Sequence, residues 1–223
     1  MKLLRNQIIF LYSSLFLFLI LISGCINLKS VYPEIQYYRL SQEAGILQNL
    51  NTGTIKGNLQ IRNFTIGAEL ETEHLLALVD ENKLQVYQYH RWISDINDLI
   101  TDFFVTRWNS YNFFSGAVLK SSTMIIPDYI LEGHVLDMFA HNNKDNVKDG
   151  NFVYISLRVT LLKRIPLSTD RNIVINKVYT NKTLRESSSV NTLAPTYSKC
   201  ISEIADKMLY EIQEAIAKDR IIN

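Results

Sequence analysis

Cysteine is scarce in this chain, which has two cysteines among its 223 residues, Cys25 and Cys200. Two cysteines cannot build a disulfide-rich scaffold, so the fold has to depend on a hydrophobic core. The chain also lacks an excess of charge of either sign, because its 23 basic and 22 acidic residues almost cancel. That balance argues against a nucleic-acid-binding protein, which would need a basic surface.

Sequence motifs of common catalytic sites are also absent. The chain has neither the glycine-rich phosphate loop of an ATPase nor a Gly-x-Ser-x-Gly nucleophile elbow. Its four histidines are scattered, without the spacing of a metal site. The segment 145–150 is only superficially similar to a calcium loop, because Val147 occupies a ligand position. We therefore expect a protein that is not an enzyme and has no metal or cofactor.

The N-terminus has the three parts of an export signal. Lys2 and Arg5 form a positive start, an apolar run follows over 8–22, and Ile22-Ser23-Gly24-Cys25 ends it. This ending resembles the lipobox of bacterial lipoproteins, in which the cysteine thiol is acylated and signal peptidase II cuts before it. The apolar run of about 15 residues is shorter than the roughly 20 of a membrane-spanning helix. We predict cleavage before Cys25 and anchoring of the chain by its acyl groups.

The residue after the predicted lipidated cysteine is Ile26. In Gram-negative lipoproteins an aspartate at this position tends to retain the protein in the inner membrane. Its absence predicts the periplasmic face of the bacterial outer membrane, with the inner membrane as the less favoured alternative. Once Cys25 is acylated, Cys200 has no partner for a disulfide. We interpret Cys200 as a small buried residue on a helix, with a reactive thiol as the alternative.

The chain divides into four parts. These are a signal peptide at 1–24, a lipidated tether at 25–36, a folded domain at 37–218 and a tail at 219–223. Hydrophobic residues make up 47% of the chain, which is enough for the core of one domain.

Most of the domain has the alternating pattern of β-strands. Short strand-like runs lie at 37–40, 54–61, 75–79, 84–89 and 113–120, with a hairpin turn at 80–83. Longer ones lie at 129–139, 152–162 and 173–183, and polar loops join them. Three long strands with such loops predict an antiparallel meander.

Two segments have helical spacing of apolar residues. One is 94–109, with Ser94 as the predicted N-cap, and the other is 196–218, after Pro195. The serine- and asparagine-rich segment 186–192 is predicted to be a linker. The predicted fold is therefore α+β, an antiparallel sheet with two amphipathic helices packed on one face.

Aromatic residues are abundant, with 12 Tyr and 10 Phe. Tyr87, Tyr89 and Trp92 cluster where the predicted hairpin leads into the first helix. Amphipathic aromatic side chains are suited to protein interfaces and membrane surfaces. For Trp92 the alternative is a core residue at the start of the helix.

The order of these features is similar to that of the ABC-type transport auxiliary lipoproteins, the PqiC/YmbA family. Tyr37-Tyr38-Arg39-Leu40 follows the lipobox, and Tyr89-His90-Arg91-Trp92 leads into the first helix. A strand at 129–135, a long apolar strand and a C-terminal helix complete the resemblance, which covers residues 25–217. The chain departs from the family between Asn63 and Glu73, where it lacks a proline-containing turn.

The resemblance implies a noncatalytic role beside MCE-type systems, which carry phospholipid between the inner and outer membranes. In such a system the lipoprotein docks the MCE-domain protein at the outer membrane, and other subunits supply the ATPase. The resemblance also implies possible self-association into rings. On this basis Tyr37, Tyr38, Leu40 and Trp92 are the candidates for partner docking, with a structural role in the core as the alternative for each.

Three other functions remain open from the sequence. A lipopolysaccharide-assembly or Tol-type envelope lipoprotein would have a similar domain. A pull-down with such a protein would not recover an MCE-domain partner. A lipid-anchored periplasmic hydrolase would need a nucleophile within hydrogen-bond reach of a base in a deep pocket. A surface adhesin or antigen would be cleaved when proteases are added to intact cells.

Overall fold

The computed structural model describes residues 32–42, 55–80, 82–121, 124–142, 150–165 and 170–222. Within them are nine strands and two long helices, all in the unit Ile35–Asn223. The strands are β1 (Gln36–Tyr38), β2 (Leu59–Ile61), β3 (Thr65–Ile66), β4 (His74–Asp80), β5 (Lys83–Trp92), β6 (Val118–Leu119), β7 (Tyr129–His141), β8 (Phe152–Arg164) and β9 (Arg171–Leu184). The helices are α1 (Ile96–Ser110) and α2 (Leu193–Ile222), and two 3-10 turns cover Ala68–Leu70 and Val190–Thr192.

The three long strands β7, β8 and β9 form the antiparallel meander that their alternating sequences predict. Every second residue of β8 from Val153 to Leu161 is buried. Successive side chains of a strand point to opposite faces, so these five apolar residues share the face that packs against the core.

A bulge interrupts the alternation of β7. The register with β8 shifts between Val135 and Asp137. Before this point the buried set includes Leu131 and Val135, and after it Met138 and Ala140 are buried. One extra residue in the strand therefore moves the core-facing set from odd to even positions.

The remaining strands join through both kinds of pairing, so the sheet is mixed. β2, β3 and β4 lie along the other edge of β7 and are all parallel to it. β5 is antiparallel to β4, and β1 is parallel to β5. The α+β class is confirmed, but the prediction of an antiparallel sheet holds only for the meander and the β4–β5 hairpin. Alternation predicts a strand, not the direction of a partner that is distant in sequence.

Helix α1 begins close to the predicted position, but its N-cap is Asp95 and not Ser94. The Asp95 carbonyl accepts the first helical hydrogen bond from the backbone of Leu99 at 3.0 Å. The buried face is formed by Ile96, Ile100, Phe103, Phe104 and Trp108. Trp108 reaches across to α2, where its indole Nε1 donates to the carbonyl of Ala205 at 3.2 Å.

Helix α2 is longer than the predicted 196–218 at both ends. It includes Pro195 in its first turn, where a residue without a backbone N–H is tolerated because that group has no acceptor inside the helix. Its predicted apolar stripe is buried from Tyr197 to Ile212, whereas Ala215 is half-buried. The core is one cluster that joins both helices to the sheet.

Two of the short predicted strands are less extensive than predicted, whereas β4 and β5 extend beyond the predicted 75–79 and 84–89 at both ends. The predicted strand at 113–120 is reduced to β6 and a single bridge between Phe114 and Ile55. The predicted run at 54–61 likewise contains only that bridge and β2. Backbone hydrogen bonds join the two segments. In one of them the N–H of Ile55 donates to the carbonyl of Phe113 at 3.2 Å.

Candidate docking surface

Strand β1 brings the predicted docking residues to one end of the strand order. It lies parallel to the last part of β5, with Tyr37 opposite Arg91 and Tyr38 opposite Trp92. The ladder continues past β5, because the backbone N–H of Ile93 donates to the carbonyl of Tyr38 at 2.8 Å. Alternation along β1 therefore separates Tyr37, on one face, from Tyr38, on the other.

The Tyr38 hydroxyl joins β1 to two other parts of the fold. It lies 2.9 Å from Nδ1 of His90 on β5 and 3.1 Å from Oδ1 of Asn191 in the 3-10 turn before α2. It is also 2.8 Å from Oε1 of Gln36. Burial raises the pKa of this phenol, so the hydroxyl stays protonated and can donate. Tyr38 therefore holds β1 in place.

The chain that follows β1 is tied to both helices. Leu40 is half-buried and packs against the core. The backbone N–H of Ser41 donates to Oγ of Ser198 on α2 at 3.0 Å. The side chain of Gln42 donates to the carbonyl of Phe103 on α1 at 3.0 Å. These contacts give Leu40 a packing role.

Trp92 is a core residue with 5% of its surface exposed. Its ring meets that of Tyr197 edge-on, at 5.5 Å between centroids. Its backbone N–H donates to the carbonyl of Glu73 at 2.6 Å. A side chain in this position is not accessible to a partner, so Trp92 can affect docking only through the fold.

Tyr37 is different, because 58% of its surface is exposed. Tyr89 and Arg91 lie on the same face as Tyr37, since Arg91 is its pair and Tyr89 is two residues earlier. Ile35 and Ile93 continue the two strands and are also exposed. We call the four residues Ile35, Tyr37, Tyr89 and Ile93 the edge patch. The edge patch is an apolar and aromatic surface along β1 and β5. The hydroxyl contacts of Tyr38, on the opposite face of β1, hold that strand in place.

A buried arginine holds the turn that Tyr38 contacts. Arg185 donates from Nε to Oγ1 of Thr192 at 3.1 Å and from Nη2 to the carbonyl of Ser189 at 2.8 Å. A third bond joins Nη1 to Oδ1 of Asn142. Burial lowers the pKa of this guanidinium. The segment 186–192 is therefore a fixed turn rather than the predicted linker, and the signal missed in the sequence is Arg185 itself.

A second exposed apolar segment lies away from the edge patch. Met124 is 93% exposed and Ile126 67% exposed, in the loop that precedes β7. Because β4 is parallel to β7, β5 antiparallel to β4 and β1 parallel to β5, β1 enters the sheet from the end at which β7 finishes. The loop before β7 is therefore at the opposite end of the sheet. We call Met124, Ile125 and Ile126 the distal loop.

The histidines have structural contacts where the structure places them. His134 Nδ1 lies 2.7 Å from Oγ1 of Thr65, and the ring of His141 stacks on Phe152 at 4.3 Å. Among the described residues, no group of three or more His, Cys, Asp or Glu side chains is arranged to hold a metal. The prediction of a noncatalytic protein without cofactors stays a prediction.

The predicted leader, Cys25 and most of the tether lie outside the described residues, as does most of 145–150. None of the helices in the described part of the chain is both long and apolar enough to span a membrane. Cys200 is fully buried on α2, as predicted, and its thiol lies 3.5 Å from the carbonyl of Asn181 on β9.

Comparison with known proteins identifies the fold. No family model and no curated protein matches the sequence. Among solved structures, the protein XCC0632 from Xanthomonas campestris, described under the family DUF330, matches with a TM-score of 0.69 at 16% identity, covering 83% of this chain and 99% of that one. The chain has the fold of this DUF330 protein. An uncharacterized protein matches with a TM-score of 0.61 at 13% identity, covering 81% of this chain and 99% of the other.

Proposed function

We propose that this chain is a lipid-anchored periplasmic lipoprotein that acts as a noncatalytic docking subunit of an MCE-type phospholipid transport system. The observation that carries the proposal is the fold shared with a DUF330 protein over nearly all of that protein's length. DUF330 is the family of the PqiC/YmbA-like lipoproteins. The fold therefore supports the same family as the lipobox and the short motifs, through an independent property of the chain.

The anchor determines which end of the body a partner can reach. Only ten positions separate Cys25 from Ile35, and a chain of ten residues spans at most about 35 Å. β1 enters the sheet at one end, so a partner that arrives across the periplasm meets the other end. That end presents the apolar distal loop. We assign partner docking to the distal loop, whereas Tyr38, Leu40 and Trp92 hold the fold.

Site-specific crosslinking in membranes tests this proposal. The photoreactive residue p-benzoylphenylalanine is placed at Ile126, at Tyr37 or, as a control, at Ile173, whose exposed fraction is close to that of Ile126. We expect an MCE-domain protein, identified by mass spectrometry, from position 126 and not from position 173. Failure to recover such a protein from either 126 or 37, in a folded and lipidated chain, would contradict the docking role.

The anchor has a separate test. Mass spectrometry of the mature N-terminal peptide should show an acylated Cys25 as the first residue. Cys25→Ala should prevent processing by signal peptidase II and leave the leader attached. A mature chain with an unmodified Cys25 thiol, or a native chain that still begins at Met1, would contradict the lipoprotein assignment. Chemical crosslinking of the purified chain tests the predicted self-association into rings.

A further inference from the structure

The edge patch is an apolar surface on a rigid part of the molecule. Tyr37 and Tyr89 belong to β1 and β5, Ile35 directly precedes β1, and Ile93 directly follows β5. The hydrogen bonds of Tyr38 fix the strand beneath, so Tyr37 is presented without a flexible loop. Tyrosine has an apolar ring and a polar hydroxyl, which suits it to the headgroup level of a bilayer.

The position of the patch in the chain favours a membrane as its occupant. This step rests on the proposed lipid anchor at Cys25. Ile35, the first patch residue, lies ten positions after that cysteine, within about 35 Å of it even if the chain between them is fully extended. The distal loop, by contrast, lies at the far end of the sheet. Compared with the distal loop, the edge patch is the surface that the tether brings to the bilayer.

The charges around the patch almost balance. Arg39 is exposed, and Arg91 lies 3.9 Å from the carboxylate of Glu73. Asp95, two residues after Ile93, is exposed as well. With the exposed Glu34, directly before Ile35, these make two cations and three carboxylates, which give no net attraction to anionic lipid. Contact with a membrane therefore depends on the apolar and aromatic area and should change little with salt.

We propose that the edge patch rests on the membrane to which the chain is anchored, with Tyr37, Tyr89 and Ile93 at the headgroup level. The contact fixes the orientation of the body, so that the distal loop points into the periplasm. The lipid anchor supplies the attachment, and the patch determines which side of the domain faces the bilayer.

An environment-sensitive fluorophore on a matched pair of positions tests the proposal. Ile93 and Ile173 are 63% and 64% exposed, and Ile173 lies on β9, across the meander. Ile93→Cys or Ile173→Cys is labelled with NBD in the full lipidated protein. Cys25 carries the acyl group and Cys200 is fully buried, so the label goes to the introduced cysteine. The protein is then reconstituted in vesicles of phosphatidylethanolamine and phosphatidylglycerol.

We expect the NBD emission at position 93 to shift to shorter wavelength and increase several-fold in vesicles, and nitroxide-labelled lipid to quench it. The emission at position 173 should remain that of a fluorophore in water, and added salt should leave both signals unchanged. If Ile93→Cys lowers the unfolding midpoint, Tyr89→Cys replaces it, with Val178→Cys as its control at a similar exposure.

Four results would overturn the proposal, and they differ in what they say of the anchor. If the protein floats with the vesicles but the NBD emission at position 93 is that of a fluorophore in water, membrane contact by the edge patch is excluded. The lipid anchor is not contradicted by that result. Protein that does not float at all excludes the anchor, and the patch with it. Equal shifts at positions 93 and 173, or a crosslink from position 37 to a protein instead of lipid, exclude a membrane contact specific to the patch.

Discussion

Arg107 of α1 and Asp206 of α2 form a buried, bidentate ion pair. Nε and Nη2 of the guanidinium donate to the two carboxylate oxygens at 2.6 and 2.8 Å. The side chains are 3% and 8% exposed. The hydroxyl of Tyr111 donates to the same carboxylate at 3.0 Å. The pair lies between the two helices, next to the hydrogen bond from Trp108 to Ala205, and fastens one helix to the other.

Asp206→Asn should destabilise the protein strongly. The variant keeps the shape of the side chain but leaves the Arg107 charge buried without its counter-charge, which costs about 3–5 kcal/mol in such pairs. The free energy of unfolding in urea measures the loss. Glu132→Gln is the control, because Glu132 pairs with Arg62 at the surface, where a pair contributes about 1 kcal/mol or less. Equal losses in the two variants would contradict the structural role of the buried pair.

The sequence predicts β8 and α2 well because the periods of their apolar residues are uninterrupted. Apolar residues alternate with others along β8, and an apolar stripe at helical spacing continues over several turns of α2. It does not predict the Arg107–Asp206 pair, since the two residues are 99 positions apart. The signal that was available is a charged residue on an apolar helical face, next to Trp108 in one helix and Ala205 in the other.

The candidate site is predicted only in part for a related reason. The two short motifs that contain Tyr37 and Trp92 identify both segments as candidates for docking. They do not predict that β1 lies parallel to β5. The pairing places Tyr37 outside, and Trp92 lies in the core. Likewise, the composition of 186–192 is that of a linker, and only the long-range bonds of Arg185 make it a fixed turn.

Trp92→Ala and Tyr37→Ala should separate packing from surface function. Trp92 is buried against Tyr197, so its truncation should cost about 3–5 kcal/mol of unfolding free energy. Tyr37 is mostly exposed, and its truncation should change stability by about 0.5 kcal/mol or less. Thermal or urea unfolding measures both. A large loss of stability in Tyr37→Ala would show that its side chain packs rather than forming a free surface.

Gly133→Ala should destabilise the sheet although the backbone there is ordinary. A methyl group at this position of β7 would overlap the ring of Phe64. That ring is buried and stacked on Phe104 at 5.3 Å between centroids, so it has little room to move. We expect a loss of about 1–3 kcal/mol in urea unfolding. Gly133→Ala should cost less in a Phe64→Leu background than in the wild type, and an equal loss in the two backgrounds would contradict the overlap.

Tyrosine ionisation should weaken the fold at alkaline pH. Burial, together with the Asp206 carboxylate, raises the pKa of Tyr111 from 10.0 to about 12. Between these values the unfolded chain has lost the phenol proton and the folded chain has kept it, so stability falls as the pH rises. Burial raises the pKa of Tyr179 and Tyr197 in the same direction.

Tyr111→Phe isolates this contribution. The variant loses the hydrogen bond to Asp206, which should cost about 1 kcal/mol at neutral pH. Its unfolding free energy should then fall less steeply than that of the wild type above pH 10.0. Urea unfolding at a series of pH values measures both slopes. Identical slopes would mean that Tyr111 titrates alike in the folded and unfolded chains.

Cys200 should be unreactive in the folded protein and reactive in the unfolded one. It is fully buried, and burial raises the pKa of its thiol to about 11, so at neutral pH it is both inaccessible and protonated. Ellman's reagent should therefore react fast in denaturant and slowly without it, whereas the exposed cysteine of Ile93→Cys reacts at once.

The slow reaction of Cys200 then reports how often the core opens. When closing is faster than the thiol reaction, the rate follows the population of open molecules. A loss of about 3–5 kcal/mol in Asp206→Asn should raise that population, and with it the rate, about 100-fold or more, since each 1.4 kcal/mol is a factor of ten. Glu132→Gln should leave the rate nearly unchanged. A fast reaction in the wild type would show that Cys200 is reached without global opening, contrary to its place between α2 and β9.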